Sequence, residues 1–176
     1  MDSKKVLKGI EQESKSASWP IVGRKKGKLL EKLVKAYKPK SILEVGALVG
    51  YSAILMARQM PEASKISTIE INPDNAAKAK ENIIKAGFKD KIDLMVGDAM
   101  QVIPKLAGSF DFVFIDANKD EYYSYLMLIE NKLSPKAIIV ADNVKLFEIE
   151  MRDYLDYVRV NKNYESGTYD FDQDAV

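Results

Sequence analysis

Acidic residues recur in this chain at the points where short apolar segments end. Glu70, Asp98, Asp116 and Asp142 end or directly follow such segments, and Glu44 lies within the first of them. If these segments are parallel strands, the carboxylates meet at one edge of the sheet, where open α/β sheets bind ligands. Any one of these acids has an ordinary alternative role as a helix cap or turn residue. Five such acids, one for each of five successive predicted strands, favour a ligand-binding site.

Two residue types that often carry chemistry are missing from the sequence. The chain has no histidine and no cysteine, which excludes a Ser-His-Asp triad, imidazole metal sites, disulfides and thiolate catalysis. Proton transfer would therefore depend on Lys, Asp, Glu or Tyr side chains. Any bound metal would have oxygen ligands, which favours a hard divalent cation such as Mg²⁺, Mn²⁺ or Ca²⁺.

A glycine-containing loop follows the first apolar segment. Its sequence, EVGALVGYS, has two glycines in a Gly-x-x-x-Gly spacing, which permits a tight turn and close approach of a ligand to a helix N-terminus. This spacing differs from the Gly-x-Gly-x-x-Gly of dinucleotide-binding folds. Glu70 follows about 20 residues later, where an acid binds ribose hydroxyls in nucleoside-binding folds. The two features together predict an adenosine-containing ligand, and at this point NAD remains open.

Strand patterns alternate with helical patterns along the chain, which predicts an α/β fold with a parallel sheet. The predicted strands are residues 41–47, 66–71, 92–97, 110–116, 137–142 and 163–171. The predicted helices are residues 28–37, 51–60, 72–87, 100–106, 119–132 and 147–159. The chain has no internal repeat and no long linker, so we expect a single domain over residues 1–176, with residues 1–18 as a partly ordered helical arm.

The distribution of charge and hydropathy bears on location and partners. No apolar run is long enough to cross a bilayer and the N-terminus is polar, so we expect a cytoplasmic protein with no membrane partner. Residues 1–40 contain twelve Lys/Arg and four Asp/Glu residues, which gives a net charge of +8. Residues 147–176 contain three Lys/Arg and eight Asp/Glu residues, which gives a net charge of −5. The basic segment is typical of a solvated helix, but it leaves a nucleic-acid partner open.

Five motifs, taken in order, resemble those of the catechol and caffeoyl-CoA O-methyltransferase family. They are EVGALVGYS, IEINPDNAAKAKENI, VGDA, FVFIDANKDEYYSYL and IIVADNV, and the similarity extends from about residue 22 to residue 169. The resemblance implies a Rossmann-like class I methyltransferase fold: a mostly parallel seven-stranded sheet with helices on both faces, whose last strand is short or missing here. It also implies S-adenosylmethionine as cofactor. The residues that match the family's cofactor contacts are Val22, Glu44, Gly46, Ser52, Glu70, Asp98, Ala99 and Asp116.

The same resemblance implies a cation-dependent reaction. Asp116, Asp142 and Asn143 match the family's three metal ligands, and their oxygens suit Mg²⁺ or Mn²⁺. Lys119 matches the catalytic lysine and is close enough in sequence to Asp116 to reach the same site, although a surface lysine at a helix start is the ordinary alternative. The expected reaction is methyl transfer from S-adenosylmethionine to a hydroxyl of a metal-chelated, catechol-like small molecule.

Other interpretations remain at this stage. Members of the same family methylate a hydroxylated uridine in tRNA, and the basic N-terminal segment is compatible with that substrate. An NAD(P)-dependent oxidoreductase and a non-catalytic binding module are weaker alternatives, since the glycine spacing argues against the first. The resemblance to this family also leaves open that the protein forms a homodimer. The family's substrate-contacting acid near the C-terminus has only two weak candidates here, Asp170 and Asp172.

Overall fold

A five-stranded parallel sheet forms the centre of the protein. The computed structural model describes residues 2–169. The strands are β1 (Ser41–Val45), β2 (Lys65–Glu70), β3 (Ile92–Val96), β4 (Phe110–Ile115) and β5 (Leu133–Ala141). The helices are α1 (Ser3–Ala17), α2 (Gly23–Tyr37), α3 (Tyr51–Ala57), α4 (Pro73–Ala86), α5 (Ala99–Val102), α6 (Tyr122–Ile129) and α7 (Arg152–Val160), with 3₁₀ turns at Ile103–Lys105, Lys119–Glu121 and Glu130–Lys132.

The strand order places a ligand crevice at the middle of the sheet. The order is β3-β2-β1-β4-β5, with every neighbouring pair parallel. The chain moves outward from β1 to β2 and β3, and then returns to the other side of β1 to form β4 and β5. The strand order therefore reverses between β1 and β4, the position at which open α/β sheets bind ligands.

The alternation of side chains along each strand builds a hydrophobic core on each face of the sheet. Ile42 and Phe112 are fully buried on one face with residues of α1 to α4. Leu43 and Val113 are fully buried on the other face, with residues of α6 and α7. Because both faces are covered, the central strands are almost continuously apolar, as parallel strands usually are.

Local signals in the sequence account for several helix ends. Asn72 caps α4 by accepting hydrogen bonds from the amides of Asp74 and Asn75, and Pro73 occupies the first turn. Gly87 ends the same helix with a φ of +82°, a conformation that costs glycine little. The predicted helical arm forms α1, whose residues Val6, Leu7 and Ile10 are buried against the first core.

The predicted α/β fold with a parallel sheet is confirmed, but the number of strands differs from the expectation. Five of the expected seven strands lie within residues 2–169. The prediction of a strand at 163–171 is wrong for 163–169, which form no regular element. In this segment Tyr164 packs edge-on against the Tyr157 ring, and its hydroxyl donates to Glu130 at 2.6 Å. The Tyr164 side chain therefore packs against residues of helical segments, and its backbone does not pair with a strand.

Smaller corrections concern element ends. The first strand ends at Val45 rather than at residue 47, and β5 begins at Leu133, four residues earlier than predicted. The predicted helix at 147–159 begins only at Arg152. None of the helices within residues 2–169 combines the length and apolar character needed to cross a membrane.

Candidate active site

The loop after β1 lies directly against the end of β4. Gly46 has a φ of +98°, and a Cβ atom added there would lie 2.1 Å from the carbonyl oxygen of Asp116. The amides of Gly46 and Ala47 both donate to the Ile69 carbonyl at 3.0 Å, which connects the loop to β2 as well. Glycine is therefore required at position 46 both by backbone conformation and by the close approach of a neighbouring chain segment.

Glu44 is a fully buried carboxylate on β1. Thr68 Oγ1 donates to its Oε2 at 2.5 Å, whereas Oε1 has no hydrogen-bond partner among the described residues. Burial raises the pKa of Glu44 from 4.5 to about 7, and the neighbouring hydroxyls of Ser52 and Thr68 offset only part of this effect. A buried carboxylate with an unpartnered oxygen is costly to the fold, which is typical of a group reserved for a ligand.

Glu70, at the end of β2, organises the glycine loop. Its Oε2 accepts a hydrogen bond from the Leu48 amide at 2.6 Å, and its Oε1 accepts one from the Asn72 amide at 2.9 Å. Leu48 has a positive φ of 48°, so the hydrogen bond holds the loop in a conformation that non-glycine residues seldom adopt. Each carboxylate oxygen retains acceptor capacity for a further donor.

Three other residues predicted to contact the cofactor have structural roles in the present geometry. Asp98 caps the short helix α5 by accepting from the Met100 amide at 2.8 Å, and Ala99 is buried in the second core. The capping role that the sequence left open for Asp98 is thus present, and it does not exclude a ligand contact. Val22 directly precedes α2 and packs partly buried against the first core.

Asp116 and Lys119 form an ion pair at the end of β4. Lys119 Nζ lies 2.9 Å from Asp116 Oδ1 and donates to the Tyr122 hydroxyl, also at 2.9 Å. Burial raises the pKa of Asp116, the Lys119 ammonium opposes that rise, and the negative charge of Asp142 adds to it. The charge of Asp142 therefore acts on Asp116 across the ends of β4 and β5.

Asp142 and Asn143 follow β5 and adjoin this pair. Asp142 Oδ1 accepts from the Asn143 amide at 2.8 Å, and Asn143 is held in the left-handed region at φ 64°. The Tyr122 hydroxyl lies 3.3 Å from the Asp142 carbonyl oxygen and 3.0 Å from that of Ile115, so one tyrosine connects the ends of β4 and β5. The side chains of the three predicted metal ligands therefore belong to two adjacent strand ends.

Lys26 is a site residue that the sequence analysis missed. Its Nζ lies 2.6 Å from Asp142 Oδ1, although the two residues are 116 positions apart in the chain. The basic composition of residues 1–40 was the only signal available, and it did not distinguish Lys26 from its neighbours. The structure thus gives each of the two carboxylates its own lysine.

The donor set suits a hard cation, but it is small. No group of three or more Asp, Glu, His or Cys side chains within residues 2–169 is arranged to hold a metal ion. Two mutually repelling carboxylates and one amide oxygen are nevertheless a ligand set that Mg²⁺ accepts, because this ion usually retains several waters. Asp170 and Asp172 lie outside the described residues.

Comparisons with known proteins identify the family. A family model described as O-methyltransferase matches residues 1–162. Mouse catechol O-methyltransferase is 34% identical over 176 residues, which cover 96% of this chain and 66% of the mouse protein. The catechol O-methyltransferase of Niastella koreensis is 40% identical over 127 residues, which cover 70% of this chain and 58% of that protein. The chain thus spans less than two thirds of the length of these curated relatives.

Solved structures agree with the fold. An O-methyltransferase from Bacillus cereus, in complex with SAH, superimposes with a TM-score of 0.82 at 27% identity, covering 90% of this chain and 80% of that one. The O-methyltransferase TomG from Streptomyces achromogenes, in complex with SAM, gives a TM-score of 0.81 at 28% identity, with coverage of 89% and 78%. From the matched family model and these relatives, we conclude that the chain belongs to the O-methyltransferase family.

Proposed function

We propose that the protein is an S-adenosylmethionine-dependent O-methyltransferase that methylates a hydroxyl of a catechol-like small molecule held by a divalent cation. The observation that carries this proposal is the pair of carboxylates, Asp116 and Asp142, beside Lys119 at the reversal point of the sheet. Relatives named catechol O-methyltransferase support the substrate class.

The residues around the β1 loop fit the cofactor. S-adenosylmethionine carries an ammonium group, and Glu44 has a buried carboxylate oxygen without a partner among the described residues. It also carries two ribose hydroxyls, and Glu70 has acceptor capacity on both of its oxygens. SAM and SAH are the molecules bound to the structural neighbours TomG and the Bacillus cereus enzyme, respectively.

The residues at the ends of β4 and β5 fit a cation and a base. Asp116, Asp142 and Asn143 would hold Mg²⁺ or Mn²⁺ through oxygen atoms alone. When bound, the cation supplies positive charge that lowers the pKa of a coordinated hydroxyl, and the cofactor supplies an electrophilic methyl group. Lys119, as the neutral amine, would accept the hydroxyl proton at Nζ, and Tyr122 orients that nitrogen through its hydroxyl.

Methyl transfer with labelled S-adenosylmethionine tests the proposal. A panel of catechols is incubated with the protein and Mg²⁺, and then again with a chelator. We expect metal-dependent label transfer, and we expect the Lys119→Met variant to lose roughly 10²- to 10⁴-fold in kcat, the usual contribution of a positioned base. Lys89→Met is the matched control, because Lys89 is exposed and the variant removes the same charge at a position distant in sequence from Asp116 and Asp142.

The outcomes separate the parts of the proposal. Transfer that persists in the chelator would contradict the role of the cation and leave the methyltransferase function intact. Transfer to tRNA in place of catechols would favour the hydroxyuridine alternative. Cofactor binding without transfer to either acceptor would support a non-catalytic binding module.

A further inference from the structure

The first turn of α2 brings a lysine to the candidate metal site. Lys26 Nζ contacts Asp142 Oδ1 at 2.6 Å, and the side chains are 31% and 12% exposed, respectively. The same Oδ1 accepts the Asn143 amide. The lysine and the Asn143 amide thus share one oxygen of Asp142.

The backbone that carries this ammonium has little freedom to retreat. The next residue is Gly27, where an added Cβ would lie 2.8 Å from Leu55 Cδ1, so α2 packs closely on α3 at this point. The Lys26 ammonium therefore remains near Asp142 even when the ion pair between them is broken. Such tethering gives the lysine a high effective concentration at the site.

We propose that Lys26 is a positioning residue that acts as an internal competitor for the divalent cation at Asp142. In the metal-free protein it neutralises Asp142 and reduces the repulsion between the two carboxylates. A cation must displace it, because two positive groups repel each other at such distances. Lys26 thereby weakens metal affinity and stabilises the metal-free state. This inference rests on the proposed cation-dependent function.

The test is a titration of each protein with Mn²⁺, in which the free ion is followed by electron paramagnetic resonance, without substrate or cofactor. We expect Lys26→Met to bind Mn²⁺ about five-fold more tightly than the wild type, the equivalent of losing one partly buried ion pair. In the absence of metal, its Tm should fall by up to about 3 °C. A residue that only supports the fold would lower both metal affinity and Tm when it is replaced.

Three further variants complete the design. Lys25→Met, next in sequence and exposed, removes the same charge without touching Asp142 and sets the baseline for the general electrostatic effect. Lys26→Arg should restore an affinity near that of the wild type, and Lys26→Gln replaces the methionine variant if the latter does not fold.

If Lys26→Met, or Lys26→Gln in its place, binds Mn²⁺ no more tightly than Lys25→Met does, the inference is overturned and the proposed function stays in place. Failure of all the proteins to bind Mn²⁺ would overturn both the inference and the cation-dependent function.

Discussion

Replacement of Glu44 by glutamine should make the protein more stable, and by an amount that depends on pH. The folded state raises the pKa of Glu44 from 4.5 to about 7, chiefly through burial. A raised pKa means that the folded protein binds the proton more tightly than the unfolded chain does. The favourable contribution is fully present below pH 4.5 and is lost as pH rises through 7.

The size of the effect follows from the shift. Each unit of pKa corresponds to about 1.4 kcal/mol, so the wild type loses about 3 kcal/mol of unfolding free energy between pH 4.5 and pH 8 from this group. Glu44→Gln has no such loss, because its side chain does not titrate. The variant should therefore match the wild type near pH 4.5 and exceed it by about 3 kcal/mol at pH 8.

Urea denaturation of the wild type and the variant at pH 5, 6, 7 and 8 measures this difference. Glu62→Gln, which removes one exposed carboxylate, controls for the change in net charge. If the difference between Glu44→Gln and the wild type stays constant across the four pH values, Glu44 is ionised throughout and the reasoning from burial is refuted. The variant should also bind S-adenosylmethionine more weakly, since the proposed partner of the ammonium is then neutral.

Three other replacements give separate tests. Gly46→Ala should lower the unfolding free energy by about 3 kcal/mol or more, because the added Cβ would lie 2.1 Å from the Asp116 carbonyl oxygen. The control Gly9→Ala, where α1 leaves open space, should raise the unfolding free energy by roughly 0.5–1 kcal/mol. Equal unfolding free energies for the two variants in urea denaturation would contradict the contact at Gly46. Asp116→Asn should weaken Mn²⁺ binding at least about ten-fold in the same titration as above, and unchanged affinity would remove it from the ligand set. Tyr122→Phe should lower the unfolding free energy by about 1 kcal/mol, because the hydrogen bonds of the hydroxyl are lost. It should also reduce kcat by a larger factor than it changes KM, because Lys119 loses the hydroxyl that orients it. A change in KM alone would argue against a role of Tyr122 in orienting Lys119.

Hydrophobic pattern was sufficient to predict the sheet and most helices. The apolar segments that became β1, β2, β3 and β4 were bounded by Gly, Pro and acidic residues, and these boundaries coincide with the strand ends to within two residues. The error at the end of the first strand has a local cause: Gly46 and Ala47 continue the apolar composition, but the positive φ of Gly46 turns the chain away from the sheet. Composition does not report that turn.

Contacts between distant segments were the part that sequence could not supply. Lys26 and Asp142 are 116 residues apart, and a lysine among many lysines carries no local signal of its partner. The strand prediction failed at residues 163–169 for a related reason. Tyr164 lies against Tyr157 and Glu130 of the helical layer, a contact that no sequence pattern predicts.

The close approach of Gly46 to the Asp116 carbonyl has a consequence for attempts to change the acceptor specificity. It joins the loop that we propose binds the cofactor to the loop that we propose binds the cation, so a change in one loop should affect the other. Libraries that diversify residues after β4 will therefore alter the apparent affinity for the methyl donor as well. Selections for a new acceptor should be run at several donor concentrations.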